Sequence, residues 1–395
     1  MKHVRKRRLA LAAAVAAALA IPAAGTSAGP LQQSVARGGA KLGLPAKVGA
    51  GEGSLNMVAW EGYLDKSWVR PFEARTGCTI HAKYAGSSDE MVTLMRQGGG
   101  GQYDMVSASG DASLRLIYGG DIAPVNVKLV KPWTQFFPVF KSPPNNTVKG
   151  VHYGISLQFG PNVLMWNTKA IKQAPTSWAA LYDPQFKGKV TIPDNPIQIA
   201  DAALYLSKAQ PSLGITDPYE LNKTQFDAAV SLLKKQRPLI KKFWVYASDE
   251  EQLFKGGDVV IGSAWPQAQS DLLAAKVPVA SVIPKEGATS WLDTWMLSSK
   301  AKHPNCAYLW WNYISQPQVQ AMQATSYPET PVNSQACSFM DKLKAGSCKK
   351  FHAAEPLAYY RSLKFWKTPV ADCGNGNTDC MDYNKWQQAW TEIKG

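Results

Sequence analysis

The sequence predicts an α/β protein of two lobes, each a mostly parallel sheet flanked by helices. Three observations predict it. A β-α-β-α-β alternation runs from Ser54 past Asp111, a second alternation begins near Val190, and aromatic or acidic residues recur where strands end. At 395 residues the chain exceeds one average domain. Its 45% hydrophobic and 18% charged residues are enough to build two cores.

The chain opens Met-Lys-His-Val-Arg-Lys-Arg-Arg, followed by an apolar run from Leu9 to Ala24 and small residues through Gly29. A basic segment, an apolar run too short for an anchor and a cleavage region between Gly25 and Ala28 make a secretory signal over residues 1–28. No cysteine lies there to carry a lipid. The formal charge is +14; without Lys2, Arg5, Lys6, Arg7 and Arg8 it is about +9. The remaining cations are scattered. Their densest cluster (Lys234, Lys235, Arg237, Lys241, Lys242) surrounds a helix end and reads as a solvated face, so no nucleic-acid partner is expected.

Residues 29–53 are rich in Gly, Ala and Lys without periodicity, which predicts a flexible leader. Ser54 to Trp60 is a strand ending in Trp60-Glu61-Gly62-Tyr63, and the helix after it runs to Thr76, stopped by Gly77. Residues 78–84 alternate as a second strand. Ser87-Ser88-Asp89-Glu90 is a capping box for the helix to Arg96, which four glycines end. Residues 103–107 form a third strand, and Ser109-Gly110-Asp111 opens the next helix. Residues 151–167 read as one long extended segment, Thr176-Ser177-Trp178 opens a short helix, and a strand over 190–193 ends at Asp194-Asn195-Pro196. A helix over 226–233, a second capping box at Ser248-Asp249-Glu250-Glu251 and a strand over 259–263 before Trp265-Pro266 complete the second alternation. Ala307, Trp310, Trp311 and Ile314 fall at i, i+3, i+4, i+7, a buried helix face, and Trp386 and Trp390 repeat that spacing.

The chemistry centres on Trp291-Leu292-Asp293-Thr294-Trp295, just after a strand-like run over 277–283. In a strand Trp291, Asp293 and Trp295 share a face. A carboxylate flanked by indoles suits an alkylammonium group, the acid supplying charge and the rings cation–π attraction. The same spacing also describes a half-buried strand with core Trp residues and a capping Asp. Ligands of open α/β sheets bind at strand carboxyl ends, and a crevice between two such lobes closes by hinge motion.

Six cysteines in an exported chain predict disulfides, with fifteen pairings possible. Short loop closure favours Cys373–Cys380 and Cys337–Cys348, leaving Cys78–Cys306. A metal site lacks both C-x-x-C spacing and a nearby His. The Gly98 to Gly101 run has no Gly-Lys-Ser/Thr after it, and the five histidines are far apart. Fourteen Trp would also suit a sugar cleft, so a secreted carbohydrate-active enzyme is the competing class, but no acid stands out as a partner for Asp293. No catalytic residue, metal or cofactor is expected.

Several motifs follow one order: Trp60-Glu61-Gly62-Tyr63, Tyr103-Asp104-Met105-Val106, Lys187-Gly188-Lys189-Val190, and Gly257 to Gly262 with Trp265. Pro284-Lys285-Glu286-Gly287 with Trp291-Leu292-Asp293, then Tyr327-Pro328-Glu329-Thr330-Pro331, complete it. Together they resemble the spermidine/putrescine-binding proteins of bacterial ABC importers, from about Leu55 to the C-terminus. The resemblance implies a two-lobed periplasmic-binding-protein fold (type II-like) with lobes of discontinuous segments, 54–160 plus 293–335 and 161–292 plus 336–395. It implies a monomeric periplasmic protein that carries a small amine to an ABC permease in the inner membrane. Carried over by motif, Trp60 and Tyr63 line the near wall, Ser109 is a cleft serine, Trp265 and Trp291 flank the aliphatic chain, Asp293 binds an amine nitrogen and Tyr327 adds a wall aromatic.

The departures bear on the ligand. Asn195 and Gln198 stand where the family grips the far ammonium with acids, Asp111 replaces a cleft tyrosine, and Lys367 stands where an amide is usual. Asp194 would substitute only by a register shift. Without it the site has one anionic pole, and a desolvated, unpaired ammonium costs several kcal/mol. The expectation is reduced polyamine affinity, with an amino-carboxylate such as 4-aminobutyrate, met by Lys367, as the alternative.

Overall fold

Two sheets organise the chain, and three segments pass between them. The computed structural model describes residues 44–373 and 378–395. The expected signal peptide, the leader up to residue 43 and the loop at 374–377 lie outside the described residues.

The first alternation folds as expected. Strand β1 (Ser54–Trp60) leads to α1 (Lys66–Thr76), which Asp65 caps by accepting from the Ser67 N–H. Gly77 ends it at φ 70°, the left-handed turn that a Cβ would disfavour. Strand β2 (Thr79–Ala85), α2 (Ser88–Arg96), β3 (Met105–Ala108) and α3 (Gly110–Tyr118) follow. Ser87 caps α2 through the Glu90 N–H, while the Glu90 carboxylate reaches Gly86 N.

The extended segment over 151–167 divides. β4 (Ile155–Pro161) belongs to the larger sheet and β5 (Val163–Asn167) to the smaller, parted at Asn162. The second lobe continues with β6 (Val190–Pro193), α4 (Gln198–Ala209), α5 (Lys223–Gln236), β7 (Ile240–Trp244), α6 (Ala247–Gly256), β8 (Ile261–Ala264), α7 (Pro266–Ala274) and β9 (Val279–Val282). The chain returns through β10 (Thr289–Leu297), α8 (Pro304–Ile314), α9 (Pro317–Ser326), β11 (Thr330–Pro331) and β12 (Lys364–Phe365), and ends in α10 (Tyr383–Lys394).

The larger sheet has the order β11-β4-β10-β3-β1-β2, with β12 also on β10; the smaller is β9-β5-β8-β6-β7. The β-α-β units pair parallel, β1 with β2 and β3, and β6 with β7 and β8. Strands β4, β5, β9 and β10 add antiparallel pairs, although β10 also pairs parallel with β12, so each sheet is mixed. The boundary expected after residue 292 falls inside β10, which is buried along its length and lies wholly in the larger sheet. Breaking it there would orphan its ladder hydrogen bonds. The chain changes lobe before Thr289, and β12 belongs with the larger sheet as well.

Trp295 sits in the first-lobe core, its ring 5.8 Å from Trp310, which meets Phe72 of α1 at 5.1 Å. Trp386 and Trp390 bury α10 against Phe226 and Phe243 of the second lobe. The end of the leader is fixed rather than loose: Glu52 accepts from the Asn305 and Cys306 N–H groups, both at 2.8 Å, and so caps α8. Helix α6 begins one residue before the expected capping box, because Asp249 reaches back to the Tyr246 and Val245 N–H groups. Ser248 is left free to face the other lobe. The three disulfides are Cys78–Cys306, Cys337–Cys348 and Cys373–Cys380.

Candidate ligand-binding site

Strand ends of both sheets converge on one interlobe cavity. It is lined by Trp60, Tyr63, Ser109, Trp265, Trp291, Asp293, Tyr327, Glu329 and Trp366. The cavity is small, with an empty volume of about 230 Å³. Indoles of the two lobes meet across it, Trp60 with Trp265 and Trp265 with Trp291.

Asp293 owes its position to an irregularity. Between Leu292, opposite Phe159, and Thr294, opposite Ser156, the β10–β4 register shifts, so that Asp293 faces the extra residue of a bulge. Its carboxylate is fully buried and accepts from the Ser109 hydroxyl on one oxygen and from the Tyr63 phenol, at 2.5 Å, on the other. Burial pushes this carboxyl up to about 7, against the Ser109 and Tyr63 donors that favour its charged form; the Asp111 charge adds to the rise. No Lys or Arg among the described residues pairs with it.

Glu329 is the second acid. Its Oε1 accepts from the Trp291 indole at 3.1 Å and from the Tyr63 hydroxyl at 3.2 Å. Burial and the Asp293 charge push it well above the usual carboxylate range, while burial and both acids keep the Tyr63 phenol protonated. Two carboxylates thus share one phenol at a single pole. The rest is aromatic: Trp265 meets Trp60 at 5.9 Å, Trp291 at 5.7 Å and Trp244 at 4.7 Å, and Trp291 meets Trp366 at 6.0 Å. The indole N–H groups of Trp60, Trp265 and Trp366 are buried without an acceptor.

Polar contacts join the lobes around this cavity. Glu61 accepts from the Ser248 hydroxyl at 3.0 Å, and Asp89 accepts from Tyr383 at 2.8 Å and from Gln387 at 2.9 Å. Gly86 lies so close to Val245 that a Cβ there would clash at 2.2 Å.

This two-lobed α/β chain, with its small aromatic cavity and two acids, matches one known family over most of its length. Residues 67–345 fit the family described as bacterial extracellular solute-binding protein. The chain belongs to that family. Among its relatives, the spermidine/putrescine-binding periplasmic protein of Escherichia coli (strain K12) is 25% identical over 300 residues, 74% of this chain and 82% of that one. The putrescine-binding periplasmic protein PotF of the same organism is 27% identical over 290 residues, 68% of this chain and 75% of that one. A putative spermidine/putrescine ABC transporter structure from Listeria monocytogenes superposes with a TM-score of 0.72 at 20% identity, covering 87% of this chain and 99% of that one. Family membership makes the chain a solute-binding protein rather than an enzyme, which removes the glycan-hydrolase alternative.

Within this solute-binding protein, seven of the residues singled out from sequence meet in the cavity: Trp60, Tyr63, Ser109, Trp265, Trp291, Asp293 and Tyr327. Four do not line it. Asp111 lies behind it, accepting from Ser88 at 2.8 Å, with burial raising it to about 6 and Arg115 opposing the rise. Asn195 accepts from the Ile197 N–H at the start of α4. Gln198 faces a separate small cavity with Asp201 and Tyr182. Lys367 is bound to Asp217, at 2.9 Å, and to Glu220. Asp194 does not stand in for a far acid either, since it holds Lys394 and the Trp390 indole, each at 2.8 Å.

Two lining residues escaped the sequence reading, Glu329 and Trp366. Glu329 lies two residues past Tyr327, inside a stretch already singled out, and Trp366 directly precedes Lys367. Each was one short step from a residue that was weighed.

Proposed function

We propose that this protein is the periplasmic binding component of an ABC importer for a compact amine, with Asp293 as the main acceptor and Glu329 as the second. The observation that carries the reading is Asp293 itself: a buried carboxylate, walled by indoles, with two donors and no cationic side chain among the described residues. Removing an ionised carboxylate from water is costly unless a cation accompanies it, and an ammonium supplies that charge together with three donors. The indole faces of Trp265 and Trp291 would cover the methylenes and add cation–π attraction of about 0.5–2 kcal/mol.

The expected shortage of acids is corrected in part. Glu329 adds a second acid, but at the same pole, because Asp194, Asn195 and Gln198 beyond the far strand do not line the cavity. A short diamine therefore fits better than a long triamine. The amino-carboxylate reading loses Lys367, which is paired away from the cavity. It keeps one supporting observation, the unpartnered indole N–H groups of Trp60, Trp265 and Trp366, which suit an acceptor on the ligand.

Calorimetry of the mature protein with putrescine, spermidine and 4-aminobutyrate tests these readings. Putrescine is expected to bind most tightly. Spermidine binding tighter than putrescine would refute the single-pole selectivity, and 4-aminobutyrate outcompeting both would replace the diamine.

A further inference from the structure

The three segments that pass between the lobes are hydrogen-bonded to one another. At the first crossing, the Asn162 N–H donates to the carbonyl of Thr289 at the second, at 2.9 Å. The third follows β12, which is held on β10 by Lys364 N donating to Ala288 O at 3.0 Å and Trp366 N to Ser290 O at 2.7 Å. A side chain of the second lobe grips this knot. Asp201, on α4, is half-buried and accepts from the Thr289 hydroxyl on one oxygen and from the Asn162 amide, at 3.3 Å, on the other. Asn162 also donates to the Thr289 hydroxyl oxygen at 2.9 Å. From the same lobe, Tyr219 donates to Lys364 O at 3.0 Å.

Thr289 is the first residue of β10, two residues before Trp291 and four before Asp293. Whatever fixes Thr289 relative to the second lobe therefore fixes where the first lobe presents its acid and its indole. We propose that Asp201 is a positioning residue for ligand binding: it fastens the crossing strands to the second lobe, so that closure brings Trp265 onto Trp291 and Asp293 in one register. Burial is a cost to this carboxylate, pushing it up to about 7, and the donors that offset it come from Thr289, Asn162 and its own helix neighbour Gln198. An acid kept only for the second-lobe core would draw its donors from that lobe; here the crossings supply two of the three.

The proposal rests on the cavity being the binding site, and its test separates the two. Amide hydrogen exchange on the ligand-free full chain, with calorimetry using putrescine, compares Asp201→Asn, Thr289→Val and Thr289→Ser. Asp201→Asn lets a donor face the Asn162 amide, and Thr289→Val removes the hydroxyl while keeping the shape. Both are expected to speed exchange at Asn162, Lys364 and Trp366 by about tenfold and to weaken putrescine binding by about tenfold, with amides of β1 and β6 unchanged. Thr289→Ser is expected to behave as the parent. Unchanged exchange at the three crossing amides, or equal acceleration through both sheets, would overturn the role of Asp201. If Asp201→Asn does not fold, Thr289→Val decides. If the parent chain ignores putrescine, the diamine reading fails and the exchange data still judge Asp201.

Discussion

The two lobes bring unlike walls to one cavity. From the first lobe come Tyr63, Ser109, Asp293 and Glu329, two acids and two hydroxyl donors, beside the Trp60 and Trp291 indoles. The second brings Trp265, braced by Trp244, while its polar strand-end residues serve local structure. The contrast teaches where recognition begins. An amine can be captured electrostatically on the first lobe while the protein is open, and the second lobe adds a hydrophobic cover when it swings in. Charge selects, and shape retains.

The largest expected blow to that division is Asp293→Asn. Leaving a buried charge without its partner costs about 2–5 kcal/mol, so amine affinity should fall by about a hundredfold in calorimetry. A loss below tenfold would move the seat of charge recognition away from Asp293. Glu329→Gln should cost about tenfold, since the Gln carbonyl still accepts from the Trp291 indole and only the second acid is lost.

The pH dependence sharpens the same point. A cation binds the ionised form of Asp293, which burial holds near 7, so affinity should fall by about tenfold from pH 8 to pH 6. Without ligand the sign reverses. A carboxyl whose folded value is raised favours folding below its unfolded value of about 3.9, and that contribution is lost as pH rises through about 7. Scanning calorimetry should show the parent chain losing melting temperature relative to Asp293→Asn between pH 5 and pH 8.

A smaller effect is expected at the closure contacts: Ser248→Ala removes the hydroxyl that meets Glu61 and should weaken binding by about two- to threefold. The smallest concerns two residues outside the cavity. Lys367→Met and Asp194→Asn break partly exposed ion pairs, and each should leave amine affinity unchanged at a stability cost of about 1 kcal/mol or less. A clear change in affinity for either would mean that the second wall carries charge recognition after all.

Local signals carried most of the fold. Gly77, the Ser87 cap and the Trp310/Trp311 face each act within a few residues, and each stands where the sequence placed it. Trp291 and Asp293 were legible because strand periodicity and flanking aromatics coincide. What escaped was set by distant partners. The division at Asn162 is invisible in an unbroken extended run, because it depends on which sheet each half joins. Asn195 and Lys367 look like ligand contacts in one dimension; a helix start and an acidic loop take them in three. Glu329 sits in a Pro-flanked turn with no periodic signal, and only the Trp291 indole and the Tyr63 hydroxyl reveal it.

Cys78 and Cys306 are 228 residues apart, yet no other cysteine lies between them, and the later four pair in the order in which they occur. A polypeptide threaded N-terminus first into an oxidising compartment would release its thiols in that same succession. An oxidant that joins each thiol to the next one arriving would yield the native set directly, with no reshuffling by an isomerase.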